Sequence, residues 1–161
     1  VTLNINVLRS ESLGDIHIQS ADPMIPPTIH FNFMSARYDR EGTVAAMRKA
    51  RELFSTSPLS DVVGEEIGPG PKCQSDGDMV DWIRNNAETT YHPVGTCKMG
   101  TDNLAVVDEA LKVHGINGLR IADASIMPTL TSGNTNAPSI MIGEKCAEMV
   151  LKSASQLEEA A

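Results

Sequence analysis

The sequence predicts an α+β fold, and three observations carry that expectation. The first 35 residues alternate in short pieces between Pro and Gly breaks. Residues 41–86 hold two stretches with apolar side chains at helical spacing, and the chain closes on a long helical pattern after a stretch rich in Gly, Asn and Pro. The expected arrangement is an antiparallel sheet with flanking helices over residues 1–88. Residues 89–161 are expected to form a loop-rich segment that ends in a long helix.

The elements follow in order. Val1, Leu3, Ile5 and Val7 alternate with Thr2, Asn4 and Asn6, the period of a strand with one buried face. Ser12-Leu13-Gly14 is a turn. Residues 15–19 alternate again, with Ile16 and Ile18 on one face. Three prolines at positions 23, 26 and 27 break regular structure, because each lacks an N–H and fixes φ. Residues 28–33 form a third short strand. A helix is predicted over 41–54, where Val44, Met47, Ala50 and Phe54 share a face flanked by Arg48 and Arg51. A Ser, Pro and Gly-rich loop follows, with Glu65 and Glu66 expected at a solvated surface. The second helix runs over 76–86, capped by Ser75 or Asp76, with Met79, Trp82 and Ile83 inward. Two small strands are expected around a Gly115/Gly118 turn. The last helix is predicted over 138–156, with Pro138 suited to its first turn. Its stripe is Ile140, Gly143, Ala147, Val150 and Leu151, and Gly143 points to close backbone packing. Residues 157–161 are expected to fray, with Glu158 and Glu159 solvated.

At 161 residues the chain can bury one sizeable core. Its net charge of −8 argues against nucleic acid and against an anionic membrane surface. Its apolar runs are too short for a membrane-spanning helix. Cys73, Cys97 and Cys146 fit neither a zinc site nor a disulfide framework. They read as buried thiols, no metal is expected, and the compartment stays open with a mild preference for the cytoplasm.

Three blocks carry the chemistry. Residues 91–100 read Tyr-His-Pro-Val-Gly-Thr-Cys-Lys-Met-Gly, residues 118–128 read Gly-Leu-Arg-Ile-Ala-Asp-Ala-Ser-Ile-Met-Pro, and residues 132–138 read Ser-Gly-Asn-Thr-Asn-Ala-Pro. A His followed by an Asp-Ala-Ser turn and a Gly/Asn-rich loop opening onto a helix reads as a cofactor site assembled from loops. An imidazole is the side chain best suited to accept a proton at physiological pH, which makes His92 the candidate base, and Pro93 biases it towards an extended backbone. Asn134 cannot act as a base, but its amide can donate to a substrate oxygen. The loop leads into a helix N-terminus, with unpaired N–H groups and partial positive charge suited to an electron-rich group. Plainer readings stand beside these: a His that holds a loop, Gly133-Asn134 as a turn dipeptide, Asn136 as an ordinary cap and Asp123 as a strand-end tie. His17, His30 and His114 are assigned no chemistry.

The order and wording of these blocks resemble the C-terminal part of the glucose-methanol-choline (GMC) oxidoreductases, flavoenzymes that oxidise alcohols. The resemblance is weak before residue 88 and strong over 89–151. It implies FAD as cofactor and His92 as the base that takes the hydroxyl proton while hydride leaves for the flavin. Asn134 falls where some members carry a second His and others an Asn. Asn136, two residues on, is the competing choice, and the count from Met127-Pro128 favours Asn134. Asp123 and Ala124 fall at a turn against the ribityl-pyrophosphate, and Thr135 and Asn136 at the helix start that approaches the ring. Residues 1–88 then belong to the substrate-binding domain, and residues 89–161 are the catalytic loop and the segment completing the FAD-binding domain. The Gly-x-Gly-x-x-Gly loop of the family's Rossmann-like N-terminal part does not occur here, and Gly68-Pro69-Gly70 has the wrong spacing. The expectation is therefore the C-terminal portion of a larger enzyme, partnered by its missing FAD-binding portion and by a small alcohol substrate. Such a portion is expected to be inactive alone. A non-catalytic binding module that kept the family's shape, and a cyanohydrin lyase on the same fold, are the alternatives.

Overall fold

The computed structural model describes residues 1–159, with side chains described up to residue 156. Two compact units divide the chain, residues 1–89 and residues 90–161.

The first unit contains a two-stranded antiparallel sheet and two helices. Strand β1 (Asp15–His17) pairs with β2 (Thr28–His30) in the register Asp15 to His30, Ile16 to Ile29 and His17 to Thr28. Gly14 enters the hairpin where no side chain fits, since a Cβ there would lie 2.0 Å from the His30 carbonyl oxygen. The expected first strand, at residues 1–8, does not form. Of its four alternating positions Ile5 and Val7 are half-buried, while Val1 and Leu3 are exposed. Ile5 packs on the unit's core, but the segment has no strand partner among the described residues. The strand at 28–33 ends early because Asn32 and Met34 adopt positive φ of 53° and 60°. Phe31 and Phe33 stack with centroids 5.0 Å apart and stay about half exposed.

Helix α1 (Arg37–Phe54) starts four residues before the predicted position. Ala36, at its N-cap, has no capping side chain, so nothing local marks the start. Distant residues supply it instead. The Ala36 N–H donates to Ser12 Oγ at 3.1 Å, and Arg40 donates to the Met34 carbonyl at 2.8 Å. Asp39, in the first turn, is 3% exposed and accepts from Ser10 Oγ (2.6 Å), the Glu11 N–H (2.9 Å) and the Ser12 N–H (2.8 Å). Helix α2 (Asp76–Asn86) begins and ends where predicted. Ser75 and Asp78 form a reciprocal capping box, which satisfies two otherwise orphaned donors. Val44 and Met47 of α1 meet Met79 and Ile83 of α2 and Cys73, with Trp82 packed against this core. In the loop between the helices Glu65 and Glu66 are exposed, as expected, and Glu66 also forms an ion pair: Arg51 Nε donates to both Glu66 oxygens at 3.1 Å, and Arg51 Nη2 donates to the Gly70 carbonyl.

The second unit is mostly loops around one long helix. In place of two small strands there are isolated bridges, Met99 with Val107, Val107 with Val113 and Lys112 with Arg120. Gly115 and Gly118 turn the chain there with positive φ. Helix α3 (Asn136–Glu159) starts two residues ahead of Pro138. The helix stays regular to Glu159, past residue 157 where fraying was expected; Ala160 and Ala161 and the side chains of 157–159 lie outside the described residues, and with them the expected solvation of Glu158 and Glu159. Ile142, Cys146 and Met149 face a core of Val107, Leu111, Ile126 and Met127. The predicted stripe is a different face. Ile140, Val150 and Leu151 are exposed, and a Cβ at Gly143 would meet nothing within 4 Å. Helix α3 thus carries two apolar faces, and this unit covers one of them.

Candidate functional site

Main-chain bonds bring the sequence blocks of the second unit together. The Cys97 N–H donates to the Ser125 carbonyl at 3.0 Å, and the Met99 N–H donates to that of Ile126 at 2.8 Å. These two bonds lay residues 97–99 along the turn at 123–127. Gly95 makes the approach with φ of 88°, a left-handed backbone that favours glycine. The turn is a 3-10 helix, Ala124–Ile126, whose cap is Asp123: one carboxylate oxygen accepts from the Ser125 N–H at 2.7 Å. Asp123 is exposed and Ala124 half-buried. Asp123 thus ties this turn, and its other carboxylate oxygen has no hydrogen-bond partner among the described residues.

The third block meets the first at His92. Thr135 Oγ1 lies 3.0 Å from His92 Nδ1, and the Thr135 N–H points at the same nitrogen at 3.5 Å. Thr135 immediately precedes α3 and is 7% exposed, and its carbonyl accepts from the Ser139 N–H at 3.0 Å and from Ser139 Oγ at 2.6 Å. A hydroxyl at this boundary ordinarily accepts from an N–H two or three residues on. Pro138 is the third residue and has no N–H, which leaves only the Ala137 N–H to compete with the imidazole. The hydroxyl turns to the imidazole instead. Thr135 was expected beside a flavin, and sequence reasoning missed its contact with His92. The one available signal was the proline three residues after a threonine.

Asn134 and Asn136 flank Thr135 and are both exposed, and neither carboxamide makes a hydrogen bond among the described residues. Asn136 therefore does not cap the helix through its side chain. The structure brings His92, Asn134, Thr135 and Asn136 to one end of α3. An apolar cleft of about 180 Å³ opens elsewhere in this unit, lined by Met99, Leu111, Ile126, Met141, Ile142 and Met149, with Glu109 and Lys145 at its rim. None of the candidate residues lines it, and its chemistry is that of incomplete packing. Among the described residues no cluster of three or more His, Cys, Asp or Glu is arranged to hold a metal. Among the described residues no helix is long and apolar enough to cross a membrane. The three cysteines are free thiols. His17 and His30 flank Asp15 on the exposed hairpin at 3.4 Å, and His114 lies 3.1 Å from the Gly100 carbonyl.

With this geometry in place, comparison with known proteins decides the family. The GMC oxidoreductase family model matches residues 10–143. The chain belongs to the GMC oxidoreductases. Oxygen-dependent choline dehydrogenase of Escherichia coli O127:H6 is 48% identical over 147 residues, covering 91% of this chain and 26% of that protein. This GMC chain thus spans about a quarter of the length of the curated relatives it matches. Among solved structures, pyridoxine 4-oxidase from Mesorbium loti superposes with a TM-score of 0.83 at 32% identity, over 88% of this chain and 28% of that one. Formate oxidase from Aspergillus oryzae RIB40, described with its FAD, also gives 0.83 at 32% identity, over 89% and 25%. The α+β architecture is that of GMC oxidoreductases, and the family and its solved neighbours indicate FAD as cofactor.

The residues present fit such a group in part. Ala124 offers a small residue for close approach, Asp123 and Asn136 present exposed polar side chains, and the start of α3 offers backbone N–H groups with no intrahelical acceptor. The Thr135 hydroxyl is committed to His92 and leaves only its neighbours for the cofactor.

Proposed function

We propose that this chain is the C-terminal catalytic portion of an FAD-dependent enzyme that oxidises an alcohol to an aldehyde or ketone. One observation carries the reading: His92 is tied through Nδ1 to the start of α3, and its Nε2 has no hydrogen-bond partner among the described residues. Bound FAD would supply the acceptor for the hydride that leaves the alcohol carbon. His92 takes the hydroxyl proton at Nε2. Asn134, exposed next to Thr135, donates its amide to the substrate oxygen and orients it. Asp123, Ala124 and Asn136 contact the cofactor, and the positive end of α3 favours negative charge there. Residues 1–88 contribute to the substrate-binding domain and residues 89–161 complete the FAD-binding domain. The open apolar face of α3 supports a larger flavin-holding portion packing against this chain, so the chain alone should hold FAD weakly and turn over no substrate.

The test is His92→Ala in the full polypeptide, with bound flavin followed by its visible spectrum. Removing a positioned base should lower kcat roughly 100-fold or more while the flavin stays bound. Unchanged turnover in that variant would instead favour a module whose His92 has no part in chemistry. A flavin titration that showed tight binding by residues 1–161 alone would overturn the division of labour.

A further inference from the structure

From the contact between His92 and the boundary residue of α3, we propose that Thr135 is a positioning residue whose hydroxyl gives the imidazole access to the tautomer that can accept a proton. The inference rests on the reading of His92 as the proton acceptor. Two groups of Thr135 meet Nδ1: the hydroxyl at 3.0 Å and the backbone N–H at 3.5 Å. The N–H can only donate, so by itself it favours an unprotonated Nδ1 and leaves the proton on Nε2. In that form His92 has no lone pair at the nitrogen left for substrate. A hydroxyl both donates and accepts, so it also accommodates the other tautomer, in which Nδ1–H donates to Oγ1 and Nε2 is unprotonated. The closer contact is the adaptable one.

The anchor is firm. Thr135 is 7% exposed, and its carbonyl is held by the N–H and the hydroxyl of Ser139 inside the helix. Pro138 removes one of the two backbone donors that would compete for the hydroxyl, leaving only the Ala137 N–H. In the reacting form, the O–H bond of the alcohol breaks and its proton goes to Nε2. The electron pair stays on the substrate oxygen and becomes the carbonyl π bond as hydride leaves the carbon for the flavin. The imidazolium that results keeps donating from Nδ1 to Oγ1, so the hydroxyl accepts throughout and nothing at Thr135 needs to rearrange.

The experiment is a cycle in the full flavoenzyme: Thr135→Val, Thr135→Ser, His92→Ala and the double variant Thr135→Val with His92→Ala. Flavin content is checked in each by its visible spectrum. Valine should lower kcat about 10-fold, the size of one intramolecular hydrogen bond, with KM little changed. Serine should stay within about 2-fold of the parent. The double variant should fall no further than His92→Ala, because Thr135 acts through the ring. Where valine disturbs flavin loading, the 15N shifts of the His92 ring nitrogens in the full polypeptide give the answer without turnover. Valine should move them towards the form protonated on Nε2, and serine should not. Parent-like turnover in Thr135→Val alongside a large loss in His92→Ala overturns the role of Thr135 and leaves His92 standing. Additive losses in the double variant, or unchanged ring shifts, overturn it too. Parent-like turnover in His92→Ala removes both.

Discussion

Removing the Asp39 carboxylate should detach the N-terminal arm from α1 and weaken the first unit by an amount its hydrogen bonds define. The carboxylate accepts from Ser10 Oγ, the Glu11 N–H and the Ser12 N–H, all within 2.9 Å. Asp39→Ala leaves those three donors without their acceptor. The serine hydroxyl can rotate to water, while the two backbone donors are held in place. At about 1–3 kcal/mol for each buried donor left unsatisfied, and with Glu11 at the exposed edge, the expected loss is about 2–3 kcal/mol. That is about 30- to 150-fold in the unfolding constant. Urea unfolding followed by the fluorescence of Trp82, the single tryptophan, reads this unit directly because Trp82 packs on its core. The pH dependence has a definite sign. Burial pushes the Asp39 carboxyl up, but hydrogen bonds from Ser10, Ser12 and the backbone of Glu11 and Ser12 outweigh it and hold the group below its ordinary value of 3.8. A lowered carboxyl contributes stability that is fully present above that ordinary value and is lost as pH falls through the lowered one. The gap between parent and Asp39→Asn should therefore hold constant from neutrality to about pH 5 and close below about pH 4. An Asp39→Ala loss under about 0.5 kcal/mol, or a gap that widened in acid, would show that the arm is held by something else.

Three further outcomes follow from other positions. Ser75→Ala should cost about 1 kcal/mol in the same fluorescence assay, since it dismantles the capping box of α2, and Ser75→Asp should recover most of it. Val107→Ala, at a position with no exposed surface in the core against α3, should cost roughly 2–3 kcal/mol in a far-ultraviolet circular dichroism melt. Gly95→Ala forces a side chain into φ of 88° and should cost about 1–2 kcal/mol in the same melt, and it should lower kcat of the full enzyme because this segment carries His92.

What the sequence could disclose depended on how local each cause was. Helix α2 was legible to the residue because Ser75 and Asp78 write its start and Met79 and Ile83 its buried face. Helix α1 was read four residues short because its start is fixed by Ser12 and Asp39 acting across more than 20 residues of chain. The alternation at residues 1–8 marked four positions as the inward side and only Ile5 and Val7 turn in, because a period says nothing about whether a strand partner exists to cover the face. On α3 the stripe through Ile140 and Leu151 was as apolar as the one through Ile142 and Met149, and only packing distinguished them. The candidate site was visible as three motifs in a fixed order. The link that joins two of them, Thr135 to His92, spans 43 residues and has no local signature except Pro138.

Because the imidazole is fastened to a helix boundary, ring and helix form one mechanical body. Whatever seats against Nε2 presses on the first turn of α3, and a small shift of that turn re-aims the ring without passing through the core. Occupancy at His92 should therefore be readable at a distance, as slowed amide exchange along the first turns of α3.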